Sequence, residues 1–202
     1  MTYPNPDVLA ATPFTRTLAD VPAPDGPQTI IIDIDNTIAN YVFATLRAAH
    51  DLRIPTQHID AVHTYALYPV PFYTYDDWYA AHTRALADTH NMVPLDAEAG
   101  RATRRLRDAG HRVVIATSRT PDTEPATRAY LTSHEIYFDD LVFTSDKHLL
   151  GADIIFDDNP QTLSLCRGAG MTVIRRPWPY NAEHGDLPGA TRVADIADWL
   201  GC

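Results

Sequence analysis

The chain has 202 residues, 45% of them hydrophobic and 21% charged, with 16 Lys+Arg against 26 Asp+Glu and a net charge of −10. A chain of this length folds as one domain with room for a small insertion, burying roughly 70% of its unfolded surface. The acidic balance excludes a protein that coats nucleic acid, which needs a basic face, but not a small phosphorylated ligand held in one local pocket. Only two cysteines, Cys166 and Cys202, argue against a disulfide scaffold. No apolar run approaches the ~20 residues of a membrane span, and no basic-then-apolar secretory pattern opens the chain. The expected location is the cytoplasm.

Residues 1–27 carry prolines at 4, 6, 13, 22, 24 and 27 and read as an extended or partly ordered leader. Gln28 to Asp35 (QTIIIDID) follows, a β-branched run expected of a strand buried on both faces. The stretch 41–94 is rich in Ala, His and aromatic residues and is divided by Pro55, Pro69 and Pro71. It reads as a small helical cap inserted after the first strand. Asp96 to Ala109, closed by Gly110, is the next helix, and Arg112 to Thr117 (RVVIAT) the next strand. A helix over Asp122 to His134, with Pro125 in its first turn, precedes strands at Asp140 to Ser145 and Asp153 to Phe156. Pro160 to Ala169 is helical and closed by Gly170, with Pro160 in the first turn. A weaker strand at Met171 to Ile174, a loop over 177–190 and a short helix from Val193 to Leu200 complete the chain.

Strands alternating with helices predict an α/β fold, a Rossmann-like parallel sheet flanked by helices on both faces. The core comprises 28–40 and 95–202, and the cap 41–94. Ligands of such sheets bind at the carboxyl ends of the strands, and each group with chemical potential falls there. Asp33 and Asp35 follow the first strand; residues two apart on a strand share a side, so these carboxylates repel unless a cation or a proton intervenes. Oxygen-only ligands favour magnesium, although an acidic turn after a strand is the plain alternative. Thr117 and Ser118 end the second strand, where hydroxyls and turn N–H groups suit phosphate oxygens or simply cap a helix. Lys147 lies just past the third strand, a position that a surface lysine also takes. Asp157 and Asp158 end the fourth and again suggest a cation.

In this order, acid pair, hydroxyl, lysine and acid pair resemble the haloacid dehalogenase superfamily, over roughly residues 28–176. Asn36 stands where many members have Gly, and Asn also tolerates unusual backbone angles. Thr144-Ser145-Asp146-Lys147, the run Gly151 to Pro160 (GADIIFDDNP), Thr117-Ser118 and an insertion after the first strand are similar to the 5′(3′)-deoxyribonucleotidases. The stretch Arg176 to Asn181 (RPWPYN) is similar to a Pro/Asn loop of bacterial relatives. The resemblance implies that Asp33 is the nucleophile, forming an aspartyl-phosphate, and that Asp35 is the general acid and base. It implies that Mg²⁺ is held by the carboxylates of Asp33 and Asp158 and the carbonyl of Asp35. Asp157 then orients Lys147 or a metal-bound water, while Thr117, Ser118 and Lys147 hold phosphoryl oxygens.

The resemblance also places an aromatic, Tyr41, against a base. Phe43, Phe72, Tyr73, Tyr75, Trp78 and Tyr79 are either further stacking candidates or the cap's own core. The spacings of His58 with His63 and of His82 with His90 do not match a helical zinc pair. No phosphate-binding G-x-x-x-x-G-K-[ST] loop or dinucleotide fingerprint occurs. The expected partner is a small phosphomonoester, a nucleoside monophosphate, with no membrane and no stable nucleic-acid partner; a homodimer is left open. The alternatives are the same chemistry on a 3′-phosphate end or a small phosphosugar, and a non-catalytic phosphoryl-binding protein.

Overall fold

The computed structural model describes residues 15–57, 64–67 and 71–202. His58, His63, Pro69 and the leader's prolines at 4, 6 and 13 lie outside the described residues. The element order is β1 (Thr29–Ile32), α1 (Tyr41–Asp51), α2 (Tyr75–Ala87), α3 (Ala99–Asp108), β2 (Arg112–Thr117), α4 (Glu124–Ser133), β3 (Asp140–Phe143), β4 (Ile154–Asp157), α5 (Pro160–Gly168), β5 (Thr172–Arg175) and α6 (Val193–Trp199). The strands form one sheet in the order β3-β2-β1-β4-β5, and every pairing is parallel. β1 is therefore central, in register with both neighbours: Ile32 lies opposite Ile115 on one side and Phe156 on the other. From β3 the chain crosses back over β1 to β4, which creates the crevice at the carboxyl edge where parallel sheets take ligands.

The apolar runs separate into two faces by strand alternation. Ile30, Ile32, Val113, Ile115, Ile154 and Phe156 join the larger cluster, together with Leu106 of α3 and Val193 and Ile196 of α6. Ile31, Val114, Ala116, Ile155 and Val173 face the other way, onto Leu163 and Cys166 of α5. Cys166 and Cys202 are both free thiols. Between β1 and α3, helices α1 and α2 pack on one another, with Ala44, Ala48, Ala81 and Ala85 buried. Asn40 caps α1 by accepting from Phe43 N (3.0 Å), and Thr74 caps α2 by accepting from Asp77 N (3.1 Å).

Three stretches differ from the sequence expectation. β1 ends at Ile32 rather than Asp35, because Ile34 accepts from the amides of Thr37, Ile38 and Ala39 and turns the chain there. The expected loop at 177–190 holds a 3₁₀ segment, Pro179–His184, and its Gly189 bridges to Thr17 and Arg175. The end of the leader is bound to the core: Leu18 is buried, and the Trp199 indole donates to Val21 O (2.9 Å). No helix among the described residues is long and apolar enough to cross a membrane.

One close approach is testable. A Cβ on Gly100 of α3 would lie 2.4 Å from His134 O and 2.9 Å from Glu135 O, whereas one on Gly168 would meet nothing within 4 Å. Gly100→Ala is expected to cost about 1–3 kcal/mol, lowering the melting temperature by roughly 2–4 °C for each kcal/mol at this size. Gly168→Ala should cost nothing; thermal unfolding of the two variants side by side checks the contrast.

Candidate active site

The carboxyl edge gathers side chains from four strand ends. Asp33 follows β1, and its amide donates to Phe156 O of β4 (3.0 Å), fixing it beside Asp157 and Asp158. The turn that follows depends on Asn36, whose φ of 58° lies in the left-handed region that Asn tolerates. The Asn36 side chain accepts from Val42 N (3.1 Å), and its carbonyl accepts from the Trp178 indole (2.7 Å). A short 3₁₀ turn after β3, Lys147–Leu149, delivers Lys147 inward, where it is 1% exposed.

Lys147 Nζ donates to Asp33 Oδ1 (2.5 Å) and Asp157 Oδ2 (2.6 Å). Asp157 Oδ1 accepts from Asn159 N (2.8 Å) at the start of α5. The Thr37 hydroxyl sits between Asp33 (3.3 Å) and Asp158 (3.2 Å), and the Tyr180 hydroxyl donates to Asp158. Three buried carboxylates thus lie together beside one ammonium, which bonds two of them. Burial is the first cause of a raised pKa on Asp33, to about 7, with Asp157 and Asp35 adding to it against the opposing pull of Lys147. Asp158 is held well above the carboxylate range by burial and then by its two acidic neighbours. For Lys147 burial opposes the charge, but Asp157 and Asp33 outweigh it and raise the pKa.

Asp33, Asp157 and Asp158 offer oxygens within 4.8 Å of one another, all buried. The donor set fits a hard divalent cation: it is all oxygen and holds more negative charge than Lys147 balances. Among the described residues, the Asp158 carboxylate is bonded by the hydroxyls of Thr37 and Tyr180.

Asp33, Asp157 and Lys147 line a cavity of about 490 Å³, together with Asp35, Asn36, Tyr41, Thr117, Ser118 and Arg119. Thr117 ends β2 and accepts from Arg119 N (3.3 Å). Tyr65, Tyr75, Trp78 and His82 also line the cavity, with the Tyr65 ring edge-on to Tyr180 (5.6 Å) beside Asp158. Trp78 stacks on His82 (5.0 Å, 21°), whose Nδ1 lies 2.7 Å from the Tyr41 hydroxyl. Burial lowers the pKa of His82 and raises that of Tyr41, so both are neutral near pH 7.

Asp33, Asp35, Tyr41, Thr117, Ser118, Lys147 and Asp157 all line the one cavity, and Asp158 lies against it through Thr37. Of the further aromatic candidates, Tyr75 and Trp78 line it; Phe43, Phe72, Tyr73 and Tyr79 do not, Phe72 being fully buried and Tyr73 and Tyr79 exposed. Arg119, Tyr65 and His82 were not among the sequence candidates. His82 failed only the zinc-spacing criterion, and its partner Tyr41 is 41 residues away. Arg119 forms a two-pronged pair with Asp35 (2.6 and 2.7 Å) across 84 residues, a relation no local pattern carries.

A parallel five-stranded sheet with this order of acids, hydroxyl and lysine along its carboxyl edge is that of a haloacid dehalogenase superfamily phosphatase. Residues 28–200 match the family model described as 5′ nucleotidase, deoxy (pyrimidine), cytosolic type C protein, and the chain belongs to that family. A Chlorobaculum tepidum protein assigned as a candidate 5′(3′)-deoxyribonucleotidase is 31% identical over 102 residues, 48% of this chain and 49% of that protein. The match therefore spans about half the length of that curated relative. Among solved structures, a haloacid dehalogenase-like hydrolase from Streptococcus pneumoniae superposes with a TM-score of 0.60 at 14% identity, covering 86% of this chain and 98% of that one. A candidate hydrolase of the superfamily from Bacillus subtilis, bound to magnesium, gives 0.57 at 14% identity, covering 88% of this chain and 100% of that one. At these identities the likeness is one of fold.

The raised carboxyl groups have a consequence for stability. With folded-state pKa values above the unfolded 3.8, Asp33 and Asp158 make the native state bind more protons than the unfolded chain as pH rises past 4. The favourable contribution of Asp33 is complete below about pH 4 and lost as pH climbs through about 7, and that of Asp158 is lost in the same direction. Metal-free protein should therefore lose stability at this site as pH rises from about 5 to about 7.5. Asp158→Asn should flatten that loss in unfolding measured across the range, and an unchanged slope would place its origin elsewhere.

Proposed function

We propose that this protein hydrolyses nucleoside 5′-monophosphates, deoxyribonucleotides in particular, by way of an aspartyl-phosphate on Asp33 and with Mg²⁺ as cofactor. The observation that carries the reading is the mixed lining of one cavity: Asp33, Asp35 and Lys147 share it with the rings of Tyr41, Tyr65, Tyr75, Trp78 and His82. Family membership and the Chlorobaculum tepidum relative support the substrate class. The family description, which includes the word cytosolic, supports a cytoplasmic setting.

In this reading an oxygen of Asp33 attacks phosphorus while the bond from phosphorus to the sugar oxygen breaks. Asp35 gives a proton to the departing oxygen, then takes one from the water that cleaves the acyl phosphate, regenerating Asp33 and releasing phosphate. Lys147 holds phosphoryl charge and keeps Asp33 oriented, with Asp157 fixing the ammonium from behind. Thr117 and Ser118 receive the remaining phosphoryl oxygens. The cation would be held by Asp33, Asp158 and the Asp35 carbonyl, and it supplies charge neutralisation. The segment 41–94 acts as a cap, with Tyr41 against the base and Trp78 behind it.

Phosphate release from ribo- and deoxyribonucleoside monophosphates, with magnesium and with EDTA, tests the class, alongside a 3′-phosphorylated oligonucleotide and sugar phosphates. Magnesium-dependent release from the deoxynucleotides is expected; release from the oligonucleotide or the sugars alone would keep the chemistry and discard the substrate. Asp33→Asn should abolish turnover with the fold intact, and near-normal activity in that variant would remove the nucleophile assignment. Tyr41→Ala should raise KM for nucleotides far more than for an aryl phosphate, whereas equal effects would refute stacking on the base.

A further inference from the structure

The Arg119 guanidinium is 2% exposed and all five of its N–H bonds have acceptors inside the protein. Nε and Nη2 grip the two oxygens of Asp35 (2.7 and 2.6 Å). Nη1 donates to the hydroxyls of Thr89 (3.2 Å) and Thr127 (3.0 Å), and Nη2 also reaches Met92 Sδ (3.5 Å). Asp35 keeps 24% of its side chain exposed, and it lines the cavity. A guanidinium with every donor engaged is not a spare phosphate ligand; it is a clamp with one prong pair on Asp35 and the rest on two other parts of the fold. Thr127 belongs to α4 of the core, while Thr89 and Met92 lie on the stretch by which the chain returns from α2 to the sheet.

We infer that Arg119 is the positioning residue for Asp35, holding its carboxylate at the leaving-group side of the cavity and tying that position to the returning segment 89–92. A carboxylate has about four lone-pair directions, and a fork-to-fork pair uses one on each oxygen, so each keeps a direction open to the leaving oxygen. Lysine does not replace this arrangement, because an ammonium lacks the planar fork. Thr89 and Thr127 set the plane of the guanidinium and so the plane of the carboxylate. The inference rests on the proposed role of Asp35 as general acid, and it adds which side chain makes that role possible.

The test compares kcat/KM, which reports steps up to departure of the leaving group, for a deoxynucleoside 5′-monophosphate and for p-nitrophenyl phosphate. The sugar alkoxide needs a proton to leave; p-nitrophenolate does not. Arg119→Gln and Arg119→Lys should lower kcat/KM for the nucleotide by ~100-fold or more, the scale of general acid catalysis, with the aryl phosphate within about fivefold of wild type. Thr89→Val, which leaves the pair to Asp35 in place and removes one anchor, should show the same bias at smaller size and keeps the test open if the Arg119 variants fail to fold. Equal loss on both substrates across these variants, or no loss on the nucleotide, overturns the positioning role while leaving the phosphatase reading intact. Failure of the wild-type protein on both substrates overturns the two readings together.

Discussion

The structure is organised around an excess of buried negative charge. Asp33, Asp157 and Asp158 are each at most 5% exposed, and Lys147 is in contact with the first two. Removing a carboxylate from water costs several kcal/mol, returned only where partners are placed for it. Lys147 serves Asp33 and Asp157, a main-chain amide serves Asp157, and hydroxyls serve Asp158. The parallel sheet makes this affordable, because register brings the ends of β1 and β4 level and the crossover leaves a crevice beside them. The remaining negative charge is what a divalent cation would offset.

The loop after β5 is the main support of this arrangement. Asn181 accepts from Trp178 N (3.0 Å) and Arg175 Nη1 (2.9 Å), and donates to the carbonyls of Asp158 (2.7 Å) and Arg176 (2.9 Å). Trp178 stacks on Tyr180 (5.6 Å, 9°), and its indole holds the Asn36 carbonyl. One six-residue stretch thus fixes both the turn after β1 and the position of Asp158. Its two prolines stop it from continuing β5, which frees the loop to fold back over the strand ends.

The sheet was legible because each strand is a short apolar run with turn residues at its end, and Arg112 to Thr117 coincides with β2 residue for residue. The candidate residues at the carboxyl edge were legible for the same reason: a polar residue directly after such a run is at the crevice by topology. Pairings between distant elements were not legible. Arg119 directly follows Thr117-Ser118, and nothing local shows that its guanidinium reaches Asp35 and Thr89. The roles of the aromatics depended on helix rotation: α2 turns Tyr75, Trp78 and His82 toward the cavity and leaves Tyr79 outside. Leucine, alanine and aromatic content predicts a helix there but not which face meets the sheet.

The cavity lining is of two kinds, and the difference between them is electrostatic. At the sheet edge the fixed charges are those of the acids, Lys147 and Arg119, and the last two are bound to Asp33 and Asp35 respectively. Burial keeps Tyr41 and His82 neutral and leaves flat, weakly polar surfaces at edge-on or stacked angles. A ligand satisfying both kinds of lining carries a charged group and an uncharged planar group, within a space of about 490 Å³. A polymer end would need a groove leading out along a basic track, and the net charge of −10 argues against one. A small sugar phosphate would satisfy the charged groups and leave the aromatic ones in contact with water, which forfeits the apolar burial that they can provide. The mixed lining, more than the volume, is what supports the proposed nucleotide reading.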